Sequence, residues 1–126
     1  DDRLHDVLSF VEAELEKQDV DMKTTMAIDV AVEEIFVNIA HYAYEGRPGK
    51  AVVGMDFRQD DVYIYLIDTG IPFNPLEVED PDITAGAEDR NIGGLGIYMV
   101  KKSMDECRYE RRNNQNVFVM RKAIRS

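Results

Sequence analysis

Apolar residues recur three and four apart at Leu4, Val7, Leu8, Val11 and Leu15, with acids and Lys17 on the other side. This spacing predicts a first amphipathic helix over residues 4 to about 17. Asp21 is placed to cap a second helix, which runs to about Tyr44 and is ended by "EGRPG". Two β-rich stretches follow, "KAVVGMDF" and "DVYIYLID", separated by "RQD", the pattern of an antiparallel hairpin. Residues 74–93 are acidic, interrupted by Pro75, Pro81 and Gly86, and predict a mobile surface loop. A third helix is expected from Leu95 to about Asp105, with Ile97, Val100 and Met104 along one stripe. The chain then closes with "CRYERR" and "NVFVMRK" around "NNQ", a second hairpin. The order helix, helix, two strands, loop, helix, two strands predicts an α+β, two-layer sandwich. Its mostly antiparallel sheet would carry three helices on one face.

At 126 residues and 44% hydrophobic, the chain has material for one core, so one domain over residues 1–126 is expected. No run of 18 apolar residues occurs and the start lacks the order of a secretory signal, so a cytoplasmic protein without a membrane span is the expectation. A formal charge of −10 opposes the phosphate backbone and argues against direct nucleic-acid binding. Cys107 is the sole cysteine, so neither an internal disulfide framework nor a cysteine metal cage is available; it is expected to pack.

Three polar islands interrupt this pattern. In "VAVEEIFVNIAHYAY", Glu34 and Asn38 lie four apart and therefore on one helix face, among residues that read as core. An amide oxygen there suits a magnesium ion whose other ligands are waters and phosphates, and a carboxylate one turn away suits a general base. The same spacing is common at the wet edge of an ordinary helix, so alone it decides nothing. In "DTGIPF", Asp68 ends a strand and Gly70 removes a side chain where a flat ligand would approach. Asp68 can accept a hydrogen bond from an exocyclic amine such as that of adenine, but Asp-Thr-Gly is also ordinary turn chemistry. In "IGGLGIYMVKK", Gly93, Gly94 and Gly96 leave bare amides before a helix, the arrangement that cradles phosphate. It is neither a Walker A loop nor a dinucleotide fingerprint. Arg90, and less directly Lys101 and Lys102, could supply positive charge.

Helix Glu-x-x-x-Asn, then Asp-x-Gly-x-Pro after a strand, then Gly-x-Gly before a helix, in this order and length, form a specific combination. It resembles the GHKL superfamily, the ATP-binding domain shared by DNA gyrase, sensor histidine kinases and MutL. Within it the chain looks most like the small bacterial anti-sigma-factor serine kinases, from helix one to "VFVMRK". The resemblance implies that Asn38 holds magnesium, Glu34 acts as the base, and Asp68 recognises adenine with Gly70 lining the same pocket. Gly93, Gly94, Leu95 and Gly96 would form the phosphate-closing lid, with Arg90 nearby. It further implies ATP and Mg2+ as cofactors, a STAS-domain anti-anti-sigma protein as the phosphorylated partner, a sigma factor held inactive, and a possible homodimer. The alternative from another class is a non-catalytic, nucleotide-gated binding module.

Three departures accompany the resemblance. The family's Thr in the last strand, which supports the adenine-binding Asp through water, is expected to be replaced by Val119. The family's strand before helix one is absent from these 126 residues, which implies a shorter sheet. The family tends to place a His four residues after the Asn; this chain has Tyr42 there and His41 one place early, so neither is assigned a catalytic role.

Overall fold

A computed structural model of the chain describes residues 2–44, 49–78 and 94–125. Helix α1 (Asp2–Lys17) leads into α2 (Met22–Asn38), which ends in a π turn over Ile39–Ala43. Strands β1 (Ala51–Arg58) and β2 (Asp61–Asp68), a 3-10 turn (Pro75–Glu77), helix α3 (Gly94–Ser103), and strands β3 (Glu106–Arg112) and β4 (Gln115–Ala123) complete the described order. The four strands form one antiparallel sheet in the order β1-β2-β4-β3, which puts β2 and β4 at its centre.

Local chemistry accounts for these boundaries. The Asp21 carboxylate accepts the Thr24 amide at 2.7 Å, closing the N-terminus of α2 as expected for a helix cap. Asn113 and Asn114 both adopt positive φ, 52° and 61°, and form the two-residue connection that keeps β3 and β4 twisted together. The second helix reaches the length read from the sequence, but its last turn is π rather than α. There the Ala43 carbonyl accepts the Ile71 amide at 3.0 Å, so a partner outside the helix offsets the poorer bonding of the wide turn.

Period-two burial along β2 and β4 turns Val62, Ile64, Leu66, Phe118 and Met120 toward the helices. They meet Val11 and Leu15 of α1, Ile28, Ala31, Val32 and Ile35 of α2, and Ile97 and Val100 of α3 in one cluster. All three helices thus cover one sheet face, the α+β arrangement expected from the element order. Cys107 packs at the border of this core, and burial pushes its thiol up to about 11. Among the described residues no helix is long and apolar enough to cross a membrane.

One carboxylate strains the α1–α2 seam. The Asp29 Oδ1 is buried without a hydrogen-bond partner among the described residues. Burial, followed by the charge of Glu12 and then of Glu33, raises the Asp29 carboxyl to about 6 from its ordinary 3.8. Because the folded chain holds this proton more tightly than the unfolded one, the stability it contributes is full below pH 3.8 and is lost as pH rises through about 6. Asp29→Asn is expected to stabilise the fold at pH 7.5 by about 1 kcal/mol, the full shift being discounted for a group only partly shielded from solvent. Thermal melts between pH 5 and 7.5 check this: wild type should lose stability across that window while the variant stays flat.

Candidate functional site

The central strands converge at one end of the sheet, and β2 delivers Asp68 there. Asp68 is 2% exposed, a costly place for a carboxylate unless its oxygens are bonded. Its Oδ1 accepts the Gly70 amide and the Asn116 side-chain amide, each at 2.9 Å. Both bonds land on one oxygen, leaving Oδ2 as the acceptor that can face a ligand amine. The turn after β2 is held from two further sides: Arg111 donates to the Gly70 carbonyl at 2.8 Å, and the ring of Phe73 stacks on that of Tyr42 at 5.0 Å and 23°. Tyr42, which the sequence left without a role, is thereby a packing partner of this turn.

Gly70 joins the turn to the helix end. A Cβ built on it would lie 2.6 Å from the Ala43 carbonyl oxygen and 2.9 Å from its carbon, so the two backbones touch only because this residue has no side chain. The approach brings the Asp68 turn against the π turn, five residues past Asn38. Asn38 itself is 2% exposed and donates its side-chain amide to the Glu34 carbonyl at 2.7 Å. That bond fixes the amide and leaves Oδ1 buried with no partner among the described residues. An orphaned amide oxygen of this kind is a hard, neutral ligand, and it fits one position on a magnesium ion completed by phosphates and water. Among the described residues no cluster of three His, Cys, Asp or Glu side chains could hold a metal.

Glu34, one turn before Asn38 and half-buried, points at the first turn of α3. A Cβ on Gly96 would sit 2.0 Å from its Oε2. Helix α3 starts at Gly94 instead of Leu95, so Gly94, Leu95 and Gly96 make up its first turn, and Gly96 is the member of that turn that meets the Glu34 carboxylate. Lys102 lies with its Nζ 5.5 Å from the Tyr98 ring centre. Arg90 and Gly93, the remaining parts of the expected lid, lie outside the described residues.

Asn116 is the residue the sequence reading missed. The register pairs it directly with Asp68, whereas Val119 pairs with Tyr65, three rungs away and on the alternate face of β4. Val119 therefore does not stand at the place facing Asp68, and the expectation that it replaces the supporting residue is corrected: Asn116 stands there and bonds Asp68 directly. The cause is an offset in placing the last strand against Asp68. The signal available was an amide residue at the very start of β4, after the two turn asparagines, where a strand beginning on the Asp68 end of the sheet must place it.

The fold agrees with known proteins. A model of the histidine kinase-like ATPase domain matches residues 1–122. The chain belongs to this family. Among its curated relatives, the serine-protein kinase RsbW of Bacillus mycoides is 28% identical over 81 residues, covering 61% of this chain and 51% of that protein. The serine/threonine-protein kinase BtrW of Bordetella bronchiseptica is 25% identical over 92 residues, covering 71% and 63% respectively. The RsbW of Listeria monocytogenes is 27% identical over 86 residues, covering 64% and 55%. The matches thus span between half and two-thirds of those relatives. The catalytic domain of the histidine kinase ThkA shares the fold, with a TM-score of 0.61 at 15% identity over 97% of this chain and 91% of that one. These likenesses make the chain a GHKL-type domain resembling RsbW, with the ATP-binding fold that the family name carries.

The two glycine contacts are expected to respond differently to an added methyl group. Gly70→Ala meets rigid backbone and should destabilise by about 1–3 kcal/mol. Gly96→Ala meets only the end of a flexible side chain and gains helix propensity, so it should leave the melting temperature unchanged or higher while displacing the Glu34 carboxylate. Thermal melts of both variants, with a crystal structure or side-chain NMR of the second, read these outcomes.

Proposed function

We propose that this chain is an ATP-dependent serine protein kinase of the anti-sigma-factor type, which phosphorylates a STAS-domain protein and holds a sigma factor inactive. The observation that carries the reading is the buried, unpartnered Oδ1 of Asn38 one helical turn from the Glu34 carboxylate, docked through Gly70 to a purine-competent Asp68. The curated relatives named serine kinases support it.

In this reading Asp68 accepts the exocyclic amine of adenine, and the stacked turn holds the base while the triphosphate runs along α2 toward α3. The first-turn amides of α3, from Gly94 to Gly96, bind phosphate oxygens. Asn38 would hold magnesium through Oδ1, and the ion would supply charge neutralisation at the phosphates. Glu34 accepts the proton of the partner's serine hydroxyl as its oxygen bonds to the γ-phosphorus and the bond to the β–γ bridging oxygen breaks, releasing ADP. Nucleotide-binding roles for Arg90 and Gly93, a homodimer and a cytoplasmic setting belong to the same proposal.

The contact between Glu34 and Gly96 favours a second reading, a nucleotide-gated module without transfer, because the carboxylate there faces α3 rather than open solvent. Incubation with magnesium ATP and a STAS-domain protein, followed by mass spectrometry of both, separates them: phosphate on the partner supports the kinase, and nucleotide-dependent association without it supports the module. Magnesium ATP at 100 times its dissociation constant should stabilise the chain by about 2.7 kcal/mol. Asp68→Asn should weaken ATP binding, whereas Glu34→Ala should retain binding and lower transfer by at least about a hundredfold. Equal loss of binding in both variants would contradict the division of roles.

A further inference from the structure

The amide of Asn116 is fully used. Its Nδ2 donates to Asp68 Oδ1 at 2.9 Å and to the Ile71 carbonyl at 2.8 Å, while its Oδ1 accepts the Phe73 amide at 3.1 Å and the Tyr109 hydroxyl at 2.5 Å. Two donors and two acceptors exhaust what an Asn side chain offers, and at 3% exposure no water is needed to complete the set. The orientation is forced as well, because turning the amide over would oppose its oxygen to the Asp68 carboxylate and the Ile71 carbonyl. Asn116 therefore has no bond to give a nucleotide. It acts on the pocket only through Asp68 and the turn after β2.

We propose that Asn116 is a positioning residue that sets the base selectivity of the nucleotide pocket. By occupying Asp68 Oδ1 directly, together with the Gly70 amide, it leaves Oδ2 as a fixed acceptor facing the base. A fixed acceptor selects a purine that carries an N–H donor at C6, as adenine does, and rejects one that carries a carbonyl there, as hypoxanthine and guanine do. A carboxylate free to swing, or bridged by an exchangeable water, could accommodate either. The inference rests on the ATP-binding reading above and adds a determinant that touches no ligand atom.

The test compares the affinities of magnesium ATP and magnesium ITP, which differ at C6 (amino against carbonyl) and at the adjoining N1 (acceptor against N–H donor), by calorimetry on the whole chain. Wild type is expected to favour ATP by at least about tenfold. Asn116→Leu, close in shape and without hydrogen bonds, should reduce that preference to within about threefold mainly by weakening ATP, with folding checked by circular dichroism and melting temperature. Asn116→Ala gives the same readout should the leucine variant not fold, and Asn116→Thr, which keeps one donor, should restore most of the preference. In an Asp68→Ala background, Asn116→Leu should change the ATP-to-ITP ratio by less than about twofold, since a residue acting through Asp68 has nothing left to position. A purely structural residue would instead lower both affinities together. An ATP preference retained in Asn116→Leu or Asn116→Ala overturns this inference and leaves the ATP site standing, whereas a wild type that binds neither nucleotide overturns both.

Discussion

The layer between helices and sheet is dry, and a polar group placed in it must be bonded or must be held ready for a ligand. Asp68, Asn116 and Asn38 are the polar residues buried there among the described residues, at 2%, 3% and 2% exposure. Leaving any of their atoms without a partner costs of the order of 1–3 kcal/mol, a large fraction of the stability of a domain this size. The two ends of the site meet this constraint in opposite ways. At the sheet end, Asp68 and Asn116 bond each other and three backbone groups of the adjoining turn. At the helix end, Asn38 satisfies its amide on the Glu34 carbonyl and leaves its oxygen unsatisfied. An unsatisfied buried oxygen is costly unless something else completes it, and Asn38 Oδ1 is such an oxygen on α2.

Close backbone contact makes the two ends one site. The π turn at the end of α2 presents the Ala43 carbonyl to Ile71, and Gly70 lets the turn after β2 come within touching distance. A side chain at Gly70 would push the Asp68 turn away from the helix that carries Glu34 and Asn38. At the other end of the same helix face, Gly96 brings the start of α3 onto the Glu34 carboxylate. Helix α2 is thus the common member of both contacts: Gly70 is required by the backbone it meets, whereas Gly96 lets the flexible Glu34 carboxylate lie against α3.

Much of this was legible in the sequence because the signals were local. The stripe Leu4, Val7, Leu8, Val11, Leu15 reports α1, the cap at Asp21 reports the start of α2, and runs of β-branched and aromatic residues report β1 and β2. Spacing of four residues placed Glu34 and Asn38 on one face, and the strand-ending Asp68 with Gly70 marked the second part of the site. What the sequence withheld depends on contacts distant in the chain. Asn116 lies 48 residues from Asp68, and only the register of two central strands pairs them. An offset of three residues in that register selects Val119, on the opposite face, which is why a residue unable to support Asp68 was expected where Asn116 stands. The π turn was hidden for the same reason: its stabilising partner, Ile71, lies beyond an entire hairpin.

The unequal finish of the two ends bears on how a nucleotide would act on the fold. A base entering beside Asp68 finds a turn already fixed by Asn116, Arg111 and the Tyr42–Phe73 stack, so little ordering is left to accompany its binding. The triphosphate end is different, because there the Asn38 oxygen is incomplete and the Glu34 carboxylate rests against α3. Phosphates drawn to the first turn of α3 would repel that carboxylate, while a cation at Asn38 would draw the charge back toward α2. Di- and triphosphates sharing one base would then be held alike by the sheet and differently by the two helices. Since the differential affinity of a ligand for two arrangements limits how far it can shift them, the leverage on α3 would then come from the phosphates, with the base as the anchor.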